Sequence, residues 1–292
     1  MAKHLDFKSL RDTVSSHFAA LPDKRQAGKI DYEIHDAVMS GFACMYFQDP
    51  SMLQFQIRLQ EEQNRNNLQT LFDVKKIPES TAIRTVIDDV ESEHFRPIFK
   101  DLFTPLQRGK ILNSYQIFPN LYLCSIDGTQ YFYSEEINCK HCLTATHKDG
   151  RTSYTHKTLQ AAIMHPDKKQ VIPLMPEEIR NTDGSKKQDC EVNAGKRLIK
   201  ALKKDHPRLG LIIVGDGLFS KQPFITDVLK EGMHYIFVVQ PDDHKYLMDW
   251  IDAYDPGEID RQEIVDSKGK IHVYEWVNNV PLNRKFTPTS KQ

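Results

Sequence analysis

The sequence predicts an α/β protein in which a mixed sheet flanked by helices follows an all-α N-terminal domain. Residues 1–108 place apolar side chains three and four apart with few β-branched runs, the texture of amphipathic helices. After Gly109 short β-rich runs take over, and from about residue 188 helices and strands alternate. A chain of 292 residues also exceeds the usual size of one compact domain, so two are expected.

In the helical third, Leu21-Pro22-Asp23 and Asp49-Pro50-Ser51 read as turns. Pro78-Glu79-Ser80-Thr81 opens a helix in which Ile83, Val86, Ile87 and Val90 fall at i, i+3, i+4 and i+7, one buried stripe. The segment around Leu68, Leu71 and Phe72 supplies a partner helix. Two such helices across a short turn would form a helix-turn-helix reader, with Ser80, Thr81, Arg84 and Thr85 toward a groove. Asp88, Asp89, Glu91 and Glu93 follow at once and would repel phosphates, which favours ordinary helical packing.

The strands come next. Leu121-Tyr122-Leu123-Cys124-Ser125-Ile126 is a β-rich run ending at Asp127-Gly128, and Tyr131-Phe132-Tyr133 opens a second apolar patch. Residues 154–164 and 170–174 read as two further strands, the latter at an edge because of Pro173 and stopped by Pro176. Residues 188–204 carry a helical period, with Val192, Leu198, Ile199 and Leu202 on one side and Asp205-His206-Pro207 as the stop. Leu211-Ile212-Ile213-Val214 is a continuous apolar run, suited to a strand covered on both faces, and ends at Gly215-Asp216-Gly217. A helix over 221–231 and a strand over 234–239 complete a series of three strands, helix, strand, helix, strand. Residues 242–263 turn acidic, and a hairpin follows around Asp266-Ser267-Lys268-Gly269 before a polar tail.

Composition excludes several classes. With 39% hydrophobic and 27% charged residues, 13 Gly and 15 Pro, the chain is neither collagen-like nor broadly disordered. Its longest apolar run, Phe42 to Phe47, is far short of the ~20 residues a membrane-spanning helix needs. The first residues lack a signal peptide's apolar stretch, so no membrane partner and a cytoplasmic location are expected. Five cysteines argue against a disulfide framework and for a reducing compartment. A net charge of −1 supplies no global field toward nucleic acid, which leaves local charge to decide. Phosphate-loop, dinucleotide-fingerprint, His-Glu-x-x-His and Gly-x-Ser-x-Gly motifs are all absent.

Two aspartates stand out because each closes an apolar run and precedes Gly: Ile126-Asp127-Gly128 and Val214-Gly215-Asp216-Gly217. If the two strands are neighbours, the carboxylates converge, and two like charges repel unless a cation neutralises them. Mg²⁺ or Mn²⁺ suits such hard oxygen ligands. Aspartate-glycine is equally a common turn sequence.

Asp216 follows Asp127 by 89 positions, and the intervening elements keep the order of a ribonuclease-H-like core. Here the sequence resembles the DDE transposases of bacterial insertion sequences, particularly the insertion-sequence-four group. The matching stretches are Ser125-Ile126-Asp127-Gly128-Thr129 and Val214-Gly215-Asp216-Gly217-Leu218-Phe219-Ser220, within a resemblance covering about residues 115–280. It implies an RNase H-like core over 115–241, a helical DNA-binding region over 1–108, and the start of a β-rich insertion over 242–292. It further implies that Asp127 and Asp216 are the catalytic metal ligands of Mg²⁺-dependent DNA strand cleavage and transfer. A homodimer on paired DNA ends, associated with the nucleoid when bound, is part of the same expectation. The family's third carboxylate, in a Tyr-x-x-Arg-x-x-x-x-x-x-Glu pattern, is missing: no Tyr here has Arg at the third following position. Glu258, Glu263 and Glu275 fall in turn-like or strand-like surroundings and are not assigned. The chain thus reads as a truncated transposase of impaired activity, the alternative being a non-catalytic DNA-binding remnant.

Two more groups bear on partners. Lys196, Lys200, Lys203 and Lys204, with Arg197, recur along one helix opposite its apolar side, either a stripe that follows phosphates or a solvated face. Cys139-Lys140-His141-Cys142 has the spacing of a zinc half-site, to which Cys190, His147 and His156 could add ligands. A structural Zn²⁺, or a zinc-stabilised interaction module, is the less favoured reading; reduced, packed cysteines are the favoured one.

Overall fold

The computed structural model describes residues 5–181 and 188–285, and the chain divides into two compact units, Met1–Tyr115 and Gln116–Gln292. The polar tail beyond residue 285 lies outside the described residues.

The first unit contains α1 (Phe7–Ala19), α2 (Ile34–Tyr46), α3 (Met52–Arg58), α4 (Glu62–Phe72), α5 (Ser80–Asp88) and α6 (Arg96–Arg108). Helix α2 is apolar around most of its circumference and forms the axis of the core. Its Ala37, Val38, Met39, Ala43 and Cys44 are buried with Val14, Phe18, Leu68, Phe72 and Val86 of its neighbours. Gly41 permits the close approach of α5, since a Cβ there would stand 2.7 Å from Ile87 Cδ1.

The stripe expected on α5 faces inward, with Ile83 and Val86 buried and Ile87 half-buried, while Thr81, Arg84 and Thr85 are exposed beside exposed Asp88 and Asp89. Residues 73–79 separate α4 from α5, a longer link than the about three or four residues of a helix-turn-helix. Asp36, 1% exposed, anchors this link: its carboxylate accepts from the backbone N–H groups of Lys75 (3.1 Å) and Lys76 (2.9 Å). His35 Nδ1 lies 3.3 Å from the same carboxylate, and its Nε2 is 2.8 Å from the Ser15 hydroxyl.

The second unit is built on one large sheet. Its strands are β1 (Gln116–Phe118), β2 (Leu121–Ser134), β3 (Leu143–Thr146), β4 (Thr152–Met164), β5 (Ile172–Pro173), β6 (Glu177–Ile179), β7 (Gly210–Gly215) and β8 (His234–Phe237). Helices α7 (Glu191–Asp205), α8 (Gln222–Lys230) and α9 (Lys245–Asp252) intervene or follow, and β9 (Asp260–Val265) and β10 (Ile271–Trp276) make a separate hairpin. The sheet order is β3-β4-β2-β7-β8, antiparallel from β3 to β2 and parallel from β2 to β8. The far edge of β4 carries β3, β6 and β5 in turn. With α7 packed on β4, β6 and α8, this is the mixed sheet flanked by helices that the element order predicts. Gly195 lets α7 lie tightly on α8: a Cβ there would meet Phe224 at 2.8 Å and Phe219 at 3.2 Å.

Several elements differ from expectation. Asp127-Gly128 does not end its strand: β2 runs on to Ser134 because β4 pairs with it from Leu123↔Met164 to Ser134↔Tyr154, satisfying the backbone groups that a turn would have had to satisfy. The strand over 170–174 shrinks to Ile172–Pro173, an edge segment where a residue without N–H is tolerated. The helix over 188–204 begins only at Glu191, since the Gln188 amide is instead engaged with the Thr144 backbone, donating to its carbonyl at 2.6 Å. β3, β6 and α9 had no clear signal in the sequence. Among the described residues, no helix is long and apolar enough to cross a membrane.

Two consequences for stability follow from buried polar groups. Asp36→Ala leaves two backbone donors and His35 without their acceptor and should lower the unfolding free energy of the first unit by about 1–3 kcal/mol in denaturant titration, with Asp36→Asn losing less. In the second unit, the buried Ser220 hydroxyl donates to the Gly217 carbonyl (2.7 Å) and so accepts from His244 Nε2–H (2.7 Å). Burial, then the nearby Lys221 cation, hold His244 below the usual imidazole range against the opposing Asp243 carboxylate. The folded form therefore binds fewer protons than the unfolded one. Its stability should be intact above about pH 6.5 and decline as pH falls through the depressed value, a decline that His244→Gln should flatten.

Candidate active site

The site is set by the register of β2 against β7. The parallel pairing runs from Leu121↔Gly210 to Ser125↔Val214. Asp127 and Asp216 each stand two residues beyond that last pair, at the same level of two adjacent chains, and both are exposed. Along β2, Tyr122, Cys124 and Ile126 are buried and alternate with Leu123, Ser125 and Asp127 on the other face. Asp127 belongs to the point where β7 has ended and β2 continues with β4 alone, its register partner there being Gln160.

Asp216 is held differently. Its backbone is extended (φ −78°, ψ −173°), and it caps the short 3-10 helix Gly217–Phe219, Oδ1 accepting from the Leu218 N–H at 3.0 Å. The flanking glycines are required by packing. A Cβ on Gly215 would meet Phe219 at 2.9 Å, and one on Gly217 would meet Gln240 at 3.0 Å. Ser220, buried at the end of the same turn, ties it to His244 as described.

A further carboxylate approaches this corner, and sequence patterning missed it. Glu191 opens α7, and its carboxyl group covers Gly128, the residue after Asp127, so closely that a Cβ there would stand 2.5 Å from Cδ and 2.7 Å from either oxygen. It comes from the helix-covered face of β2, opposite the face that carries Asp127. The only sequence signal is indirect: a Gly after Asp127 and an acidic residue at a helix start. Glu263 and Glu275 instead flank Arg261 on the separate hairpin, at 2.8 and 3.5 Å, and Glu258 closes a capping box with Asp255.

The basic residues of α7 divide into two groups. Arg197 is fixed on Glu177 (2.6 Å) and Asp189 (2.7 Å) and donates to the Glu178 carbonyl (2.9 Å), which fastens the helix to β6. Lys196 reaches Asp227 of α8 at 3.5 Å. Lys200 and Lys204 are exposed, and Lys203 is half-buried. The helix period is as expected, but two of its five cations are spent within the fold.

All five cysteines are free thiols. Cys139, Cys142 and His156 come together, with their potential ligand atoms all within 4.8 Å, and they form the one group of three or more such residues this close among the described residues. His147 is instead bonded to Ser153 (2.9 Å), and Cys190 is an exposed N-cap of α7.

No family model matches the chain, and no curated protein matches it. Among solved structures it is similar to the piggyBac transposase synaptic complex with hairpin DNA, at 14% identity and a TM-score of 0.40 over 94% of this chain. The match takes in 61% of that structure's chain, so the present chain spans less than two thirds of its length.

Proposed function

We propose that the chain is a DNA-acting phosphoryl transferase of the transposase type, with Asp127 and Asp216 as the paired carboxylates of its catalytic corner. The observation that carries this reading is the β2–β7 register, which brings two exposed acidic residues from distant parts of the chain to one level. The donor set fits a hard divalent cation: carboxylate oxygens only, carrying like charges that favour a shared counter-ion. Mg²⁺ or Mn²⁺ bound there supplies Lewis-acid activation of a water or a 3′-hydroxyl and stabilises the leaving oxygen. The chain's own part is positioning. The long β2–β4 ladder holds Asp127, and the N-cap bond to Leu218 orients Asp216.

In the proposed reaction the water oxygen bonds to a DNA phosphorus as the 3′-oxygen leaves with a proton. That freed 3′-hydroxyl then attacks target DNA, two chains acting together on paired ends. Exposed Lys200 and Lys204, with half-buried Lys203, are the phosphate contacts in this scheme, while Lys196 and Arg197 serve first to hold α7 in place. A non-catalytic, DNA-binding role is favoured by one specific observation: among the described residues, no three carboxylates lie within 4.8 Å of one another.

Two measurements test these readings. Asp127→Ala and Asp216→Ala should each abolish Mn²⁺ binding at this corner in calorimetry and lower Mn²⁺-dependent nicking of supercoiled DNA at least about 100-fold. Wild-type nicking by either variant refutes the assignment; DNA binding without nicking by the wild type selects the non-catalytic role. Removing Lys200 and Lys204 should weaken DNA binding and lower the slope of log affinity against log salt by about one per contact, with the melting temperature unchanged. Arg197→Ala should instead lower the melting temperature, because it removes the ion pairs to Glu177 and Asp189 and the bond to the Glu178 carbonyl that fasten α7 to β6.

A further inference from the structure

Past the level of Asp127, β2 and β4 continue as an arm of the sheet, with β6 and β3 on the far edge of β4, and residues 135–151 connect β2 to β4. Within that connection Cys139-Lys140-His141-Cys142 forms a tight turn, the Cys142 N–H donating to the Cys139 carbonyl at 3.2 Å. His156 stands on β4 opposite Phe132, next to the register irregularity between Gln130 and Phe132. We propose that Cys139, Cys142 and His156 bind one Zn²⁺ ion as a structural site that fastens this turn to the arm.

The distances carry the proposal. Sγ of Cys139 and Sγ of Cys142 are 3.7 Å apart, and His156 Nε2 lies 3.3 Å from the first and 3.4 Å from the second. Zinc–sulfur and zinc–nitrogen bonds of about 2.3 and 2.0–2.1 Å at tetrahedral angles require S···S and S···N separations of about 3.8 and 3.5 Å. All three edges of the triangle fit. A disulfide would need about 2.05 Å between the sulfurs, so the observed pair is not one.

Backbone donors surround the two sulfurs. The Cys139 N–H donates to Cys142 Sγ (3.3 Å) and the His141 N–H to Cys139 Sγ (3.4 Å), bonds of the kind that orient metal-bound sulfur. His141, in the same turn, has a buried Nδ1 with no hydrogen-bond partner among the described residues but lies outside the group of ligand atoms, so the fourth corner falls to a water, which that Nδ1 is free to bond. Two sulfurs and one imidazole select a borderline-soft ion over Mg²⁺, so this site and the proposed carboxylate corner take different metals and stand or fall separately.

Metal analysis of the purified full chain, expressed with zinc and dialysed, should give one zinc per chain. Cys139→Ser and Cys142→Ser should each lose it, whereas Cys190→Ser should keep it. Co²⁺ added to chelator-treated wild type should give the intense visible bands of a tetrahedral ion and a thiolate-to-cobalt charge-transfer band, a readout that holds even if the serine variants fail to fold. Chelation should also lower the wild-type melting temperature, and zinc should restore it. Absence of stoichiometric zinc, a cobalt spectrum without the charge-transfer band, or retention of the metal by folded Cys139→Ser would each overturn the proposal.

Discussion

Everything distinctive about the second unit depends on β2 and β7 lying parallel, in one register. β7 is covered on both faces and supplies an unbroken apolar run, Leu211 to Val214, while β2 buries the alternate residues Tyr122, Cys124 and Ile126. The side-chain period of a strand is two, so a slip of one residue would turn Ile126 and Cys124 out of the core and bring Asp127 into it. Burying that carboxylate without a partner costs several kcal/mol, and this penalty enforces the observed alignment. The core thus fixes the register, and the register brings Asp127 level with Asp216.

The ladder on the other side of β2 explains why the corner is open. β7 leaves the sheet at Gly215, where the chain turns through Asp216 into the short helix, while β4 keeps pairing with β2 for the whole of its length. Asp127 therefore faces a flank with no strand beside it among the described residues. Gly128, Gly215 and Gly217 are the residues at which that corner has no room for a Cβ, the first because of Glu191 and the other two because of Phe219, Phe237 and Gln240.

Much of this was legible in the chain because apolar runs and their stops are local. The alternation of helices and strands from α7 to β8, the inward stripe of α5 and the apolar side of α7 follow from periodicity alone. Features that depend on a distant partner were not legible. Asp127-Gly128 carries a turn signature, yet β4 converts it into mid-strand. Arg197 reads as part of a basic stripe, because helical spacing shows which side chains share a face and not that Glu177 and Asp189 will be waiting there. His156 looks like any strand histidine until the bulge in β2 and the reach of β4 set it against the Cys139–Cys142 turn. Glu191 is hidden for the same reason, since its nearness to Gly128 is created by the packing of α7.

The two proposed metal sites share the β2–β4 ladder but not their ligands. His156 pairs with Phe132, five residues along β2 from Asp127, which at about 3.3 Å per residue is a separation of roughly 17 Å. No side chain spans that distance to serve both sites, so each must be built from its own local donors, oxygen at one end and sulfur with nitrogen at the other. The ladder links them, and its exposed end bears Tyr131 and Tyr133 with no further strand beside β2 among the described residues. On that side β2 is an open edge, while β4 is backed by β6 and β3. A cross-link between the Cys139–Cys142 turn and β4 ties the connection that leaves this open edge to the better-paired strand, and leaves the carboxylate corner to be ordered by the core.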